Sequence, residues 1–243
     1  MYNNYQRLIM RVGMFKKILT LQLFIVFLII GTSLKAEPYS LANVSEYLKN
    51  LKFLKANFLQ TNADGTTSSG AILIKRPGRM RFEYDKPDKT LVLVSAGLLA
   101  IFDPKGDEVP ITYPIKNNPI SLILKDKVDL LNSEIVEDYK VSIEEAVLTI
   151  RDPKKPERGS VELVFSGAKL ELDKFTIKNE NGSSTSISLK DIEYPQKINE
   201  TLFSIPLISI YICIIRIRKI CSCNNKLCLI VYIFLLFLLS ILL

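Results

Sequence analysis

The 243-residue sequence contains no histidine and no tryptophan. Without histidine there are no His-centred triads, no histidine general bases and none of the usual zinc-enzyme ligand sets. Cysteine is nearly as scarce. All four (Cys213, Cys221, Cys223, Cys228) lie in the last 31 residues. The 167 residues from 37 to 203 therefore hold no disulfide, no thiolate nucleophile and no iron–sulfur ligand. Acidic residues are missing from both ends. Residues 1–36 carry five basic groups and residues 204–243 carry four, with no acid in either stretch. The net charge of +7 consequently misdescribes the middle, where 23 basic residues face 25 acidic ones for a net −2. A basic nucleic-acid-binding domain is not supported, and no nucleic-acid partner is expected.

Motifs for catalysis are equally absent. The glycines stand mostly singly in turns, so there is no phosphate-cradling loop. Paired carboxylates such as Glu144-Glu145 and Asp107-Glu108 fall at turns, where a solvated surface is the ordinary reading. Ser68-Ser69-Gly70 and Asn181-Gly182-Ser183 lack the strand–elbow–helix setting of a serine hydrolase. The protein is not expected to be an enzyme, and no cofactor or metal is expected. Cys-Ser-Cys-Asn-Asn-Lys-Leu-Cys near the end is a weak metal signal without a fourth ligand.

What is present begins with the two ends. Met14-Phe-Lys-Lys precedes an apolar run, Ile18–Ile30, and then Gly31-Thr-Ser-Leu-Lys-Ala36. That order is the charged, apolar, small-residue order of a secretory signal peptide. At 13 residues the run is short for a membrane span of about 20. Residues 1–36 are thus read as an N-terminal extension and signal peptide, with cleavage expected after Ala36, Met14 a better start than Met1, and the periplasm as destination. From Ser204 onward the composition turns apolar, ending in the 17-residue run Leu227–Leu243. Residues 207–243 are read as a hydrophobic tail: either translated sequence beyond a lost stop codon or a membrane anchor. The anchor reading carries a second functional hypothesis, a membrane-anchored structural or adaptor protein. Lys226 and the Arg216–Lys219 cluster oppose it, because they would sit outside the cytoplasm.

Residues 37–203 alternate between strands and turns. Ser40 can cap a helix whose apolar stripe is Leu41, Val44, Leu48 and Leu51, joined by Tyr47. The period then becomes two: Leu54, Ala56, Phe58 and Gln60 alternate with Lys55, Asn57 and Leu59. Short strands follow, broken at Asn62–Gly65, Arg76-Pro-Gly78, Asp85–Asp88, Ala96-Gly97 and Pro104–Asp107. Asn118-Pro119 opens a short helix over Ile120–Leu124, and 127–133 reads as another turn. Strands resume at 135–142, 146–151, 160–165, 169–177 and 183–190, with a last one expected at Glu200–Ile205. Ten or so antiparallel strands with even turns predict a mainly β (α+β) fold curling into a barrel or half-barrel, with its helices covering an open side.

One string of residues is specific. Phe58-Leu-Gln60, Ser69-Gly70, Lys75-Arg-Pro-Gly-Arg-Met-Arg-Phe-Glu-Tyr84 with Pro87, Leu91-Val-Leu-Val-Ser-Ala-Gly97 and Phe102-Asp-Pro104 resemble the outer-membrane lipoprotein carrier (LolA) family. Order and spacing match over about Tyr39–Pro104. Asn118-Pro119 and Leu202-Phe203 fit more loosely. The resemblance covers 37–206, which is read as the carrier domain. It implies an unclosed antiparallel half-barrel with a helical lid over an apolar concave face. The implied function is a periplasmic chaperone, expected to act as a monomer. It would take acylated lipoproteins from an inner-membrane ABC transporter and hand them to an outer-membrane acceptor. Arg76 matches the family's lid-latching arginine. Met80 stands where the family often has phenylalanine. The residues expected to form the acyl-chain cavity are Leu54, Phe58, Ile72, Ile74, Met80, Phe82 and Tyr84, together with Leu91, Leu93, Leu99 and Ile101. Period-two alternation requires that a wrong choice of face exclude about half of them.

Overall fold

The computed structural model describes residues 22, 39–106 and 109–220. The chain divides into Met1–Glu37 and Pro38–Leu243, and the elements below belong to the second unit. The expected signal peptide, Cys221, Cys223, Cys228 and the apolar run Leu227–Leu243 lie outside the described residues.

Eleven strands form one antiparallel sheet. They are β1 (Phe53–Thr61), β2 (Thr67–Lys75), β3 (Arg79–Tyr84), β4 (Leu91–Ser95), β5 (Leu98–Phe102), β6 (Ile111–Pro114), β7 (Val136–Val141), β8 (Glu145–Arg151), β9 (Ser160–Ser166), β10 (Glu171–Lys178) and β11 (Ser184–Glu193). Their order is β6-β5-β4-β3-β2-β1-β11-β10-β9-β8-β7. Two meanders of sequence neighbours are joined by one long-range pairing, β1 with β11. β6 and β7 are the edges, so the sheet stays open.

Local chemistry makes the turns. Ala96 and Gly97 both take positive φ, 49° and 79°, as a two-residue hairpin loop requires. Asp64 accepts from the Thr66 backbone N–H at 2.9 Å and closes the loop between β1 and β2. Register shifts interrupt β1–β11 between Lys55 and Asn57, and β9–β10 between Leu172 and Lys174. Such bulges bend and twist a strand, and here they help the sheet curl.

Two α-helices flank the sheet. In α1 (Leu41–Asn50), the Ser40 hydroxyl accepts from the Asn43 N–H at 3.2 Å, and Val44 and Leu48 are buried. The second helix, α2 (Ile205–Ile220), corrects an expectation. The strand expected at Glu200–Ile205 is instead a 3-10 turn, Glu200–Phe203, followed directly by α2. The reason lies in two side-chain caps. Asn199 accepts from the Thr201 N–H at 3.1 Å, and Ser204 accepts from the Leu207 N–H at 3.4 Å. Both curl the backbone away from an extended course. α2 lies on the convex side, where Ile205, Ile208 and Ile212 pack against Leu93, Ala100 and Phe102. No described helix is long and apolar enough to cross a membrane.

Candidate functional site

Residues directly opposite one another on neighbouring strands share a face of the sheet. Leu54 lies opposite Ile74, Ile74 opposite Met80, Met80 opposite Val94 and Val94 opposite Leu99. One register step along, Ala56, Ile72, Phe82, Val92 and Ile101 form the next row. Phe58 stands opposite Gly70 on one side and Leu189 on the other. The Phe58 ring meets Phe82 and Tyr84 edge-on, with centroids 5.3 and 5.2 Å away. A Cβ on Gly70 would meet that ring and the Glu83 carbonyl, so β2 passes this point only as glycine. Of the expected cavity residues, Leu54, Phe58, Ile72, Ile74 and Met80 are buried in one concave cluster, and Phe82, Tyr84 and Leu99 pack half-buried against it. Ile101 shares their face by register.

Leu91 and Leu93 do not. Leu93 lies opposite Arg81 and Ala100, and Leu91 opposite Glu83 and Phe102, all on the convex face. There they pack beneath α2. Val92 and Val94 take the concave positions instead. β4 reads Leu-Val-Leu-Val, apolar on both sides, so alternation within the strand carries no sign of which side faces in.

The concave face is covered by two pieces of chain. One is α1, through Val44 and Leu48. The other runs from the 3-10 turn Pro119–Leu122 to Leu130, through Ile120, Leu122, Val128 and Leu130. Arg76, only 8 % exposed, joins the two. Its Nη1 donates to the carbonyls of Leu48 and, at 3.2 Å, Leu51, where α1 ends. Its Nε and Nη2 donate to the Lys125 carbonyl at 3.0 and 2.6 Å, and Nη2 reaches Asp126 O at 3.4 Å. Burial pulls the Arg76 pKa below its ordinary value, opposed by the nearby Asp126 charge. Gly78, in the same turn, donates its N–H to Leu124 O at 2.8 Å. A further link is direct, from the Leu130 N–H to the Ser45 hydroxyl at 3.3 Å.

Tyrosines hold the other flank of α1. Tyr39 donates to Glu144 O at 2.9 Å, and Tyr139 donates to Tyr39 O. Tyr47 and Tyr194 share a hydroxyl–hydroxyl hydrogen bond of 3.0 Å. Burial first, and the Tyr194 hydroxyl second, push the Tyr47 pKa well up. A surface groove of about 800 Å³ runs beside them, lined in part by Leu51, Phe53 and Leu170. Sequence reasoning did not single out Tyr39, Ser45, Tyr194 or the backbone carbonyls that receive Arg76. Their partners lie far along the chain, and a carbonyl has no letter in the sequence. Only Tyr47 gave a signal, by sitting on the helical stripe.

This constellation offers no nucleophile–base pair. It offers a large apolar surface covered by two chain segments. The sequence model of the family described as outer membrane lipoprotein carrier protein LolA matches residues 49–206, most of the described domain. The chain belongs to that family. Among curated relatives, an outer-membrane lipoprotein carrier protein of Coxiella burnetii (strain CbuK_Q154) is 26% identical over 177 residues, covering 69% of this chain and 83% of that one. One from Dechloromonas aromatica (strain RCB) is 29% identical over 194 residues, covering 76% and 89%. Among solved structures, a LolA superfamily protein from Nitrosomonas europaea aligns at 10% identity with a TM-score of 0.39, covering 68% of this chain and 98% of that one. The family match ends at residue 206, the second residue of α2.

Proposed function

We propose that this chain is a periplasmic carrier of acylated lipoproteins, with 37–206 as the carrier domain and Arg76 as the latch of its lid. The acyl chains occupy the concave face after the lid withdraws. Cargo comes from an inner-membrane ABC transporter and passes to an outer-membrane acceptor. One observation carries this reading: a buried, uncharged concave face closed by two chain segments that a single guanidinium ties together.

The energetics fit an exchange. Each buried CH₂ of an acyl chain is worth about 0.8 kcal/mol, so a sixteen-carbon chain gains on the order of 10 kcal/mol by leaving water. Seating it exposes Val44, Leu48, Ile120 and Leu130, which now cover the same surface. At about 1.5–3 kcal/mol for each side chain, their re-exposure consumes most of that gain. For each seated chain the displaced lid thus offsets part of the gain, which favours reversible loading.

The test is transfer. The protein is mixed in detergent with a purified triacylated lipoprotein, the detergent is removed, and the complex is isolated. It should hold the lipoprotein in solution and release it to added vesicles. A form of the same cargo lacking its acyl chains should not co-purify. Equal retention of the two forms would refute the proposal.

A further inference from the structure

The lid does not cover the whole concave face. Burial falls steadily from the middle of the sheet towards the β6 edge. Ile72 and Met80 are closed off, Leu99 and Ile101 are half-buried, and on β6 Ile111 is 58% and Tyr113 54% exposed. Register places Ile111 opposite Ile101 and Tyr113 opposite Leu99, so both belong to the concave side. None of the concave-face positions from β3 to β6 carries a charge. The two outer strands, β5 and β6, at about 4.8 Å spacing make an open strip roughly 10 Å wide, continuous with the covered face.

From this we infer that the strip over β5 and β6 is the loading shelf, where an acyl chain first lands before it displaces the lid. The inference rests on the carrier function proposed above and adds the route to it. Two observations favour an acyl chain over a partner's strand. Pro110 and Pro114 bracket β6, and proline blunts a sheet edge against strand addition. The exposed side chains also sit on the face of the strand, whereas strand addition would use its edge. The shelf needs no lid movement to be reached, and it leads a chain directly towards Phe82 and Met80. Loading therefore starts on a surface that is already open, and the lid yields to a ligand already in place.

The experiment uses the full chain and a pyrene-labelled hexadecanoic acid, with uptake followed by stopped-flow fluorescence. Ile111→Asp and Tyr113→Asp should each slow association roughly tenfold. Leu98→Asp, on the convex side of β5 and 39% exposed, should leave it unchanged. Both β6 positions are more than half exposed, and matched melting curves confirm folding. Ile111→Ser serves as a milder substitution with the same expected direction. Combined with Arg76→Leu, Ile111→Asp should still slow uptake. Unchanged rates in the β6 variants, with normal uptake by the parent protein, overturn the shelf and leave the carrier function standing. No uptake by the parent overturns both. A dimer dispersed by Ile111→Asp would make this strip a contact between copies and also overturn the inference.

Discussion

Replacing Arg76 with leucine should unlatch the lid without unfolding the sheet. The leucine keeps some apolar contact and introduces no charge, so the change isolates the guanidinium. Contacts to three carbonyls are lost, at Leu48, Leu51 and Lys125. Hydrogen bonds to a charged group are worth about 1.5–3 kcal/mol each, or roughly 4–9 kcal/mol together. Several kcal/mol of that is offset, because the buried cation no longer has to be stripped of water. The net loss for the closed lid is then about 3 kcal/mol, a shift of roughly a hundredfold towards the open form.

Amide hydrogen exchange measures this directly. In Arg76→Leu, protection should fall about a hundredfold in α1 and, by the same factor, in residues 119–130. β8 and β9, whose amides are paired with each other within the sheet, should keep theirs. Arg76→Lys should fall between, since one ammonium cannot span carbonyls on both segments. Loss of protection in only one lid segment would refute the idea that Arg76 couples them. A uniform loss across all strands would mean that Arg76 supports the whole fold.

Three further outcomes follow from the geometry. Tyr47→Phe and Tyr194→Phe should each destabilise by about 1 kcal/mol in denaturant unfolding, and the double variant by less than the sum, because both remove the same hydrogen bond. Gly70→Ala should cost about 1–3 kcal/mol by the same measurement, since its Cβ would lie 2.0 Å from the Glu83 carbonyl oxygen and β2 or β3 must shift. Glu200 has its pKa lowered by Lys75, at 2.5 Å, and Arg79, at 3.2 Å. A carboxylate with a depressed folded pKa adds stability above its unfolded value, here 4.5, and loses it as pH falls through the lower folded value. The melting temperature of Glu200→Gln should therefore lie below that of the parent at neutral pH, and the gap should narrow as pH falls below 4.5.

Much of this architecture is legible in the residues. Period-two alternation in β1 and β3 set both strands and their inner faces, because each has one polar side to contrast with the apolar one. β4 has no such contrast, so its letters alone do not tell Leu91 and Leu93 from Val92 and Val94. The convex patch that Leu91 and Leu93 form is itself apolar because α2 covers it. Composition marked Ser204 as a boundary. It could not show that the boundary is a helix cap, since the Asn199 and Ser204 side chains act on backbone atoms. The latch role proposed for Arg76 was legible only through the Arg-Pro-Gly string. An arginine beside a turn is ordinarily a surface residue, and nothing in its neighbours says that the chain 49 residues later returns to meet it.

The choice of partners for Arg76 suits the proposed latch, which must be both specific and reversible. Among the described residues no carboxylate lies within ion-pair distance of it, and Asp126 acts on its charge from farther away. A carboxylate carried on one segment would hold the guanidinium whatever the other segment did. Backbone carbonyls of Leu48 and Leu51 converge only where α1 ends, and those of Lys125 and Asp126 only where the second segment is seated. The fork is therefore satisfied only when both pieces are closed at once. When either piece lifts, the remaining acceptors no longer meet the demands of a buried cation, and its unmet solvation favours release of the other piece. Opening should therefore be a two-state event. Under the proposed function, an acyl chain that displaces either lid piece biases the whole lid towards the open form.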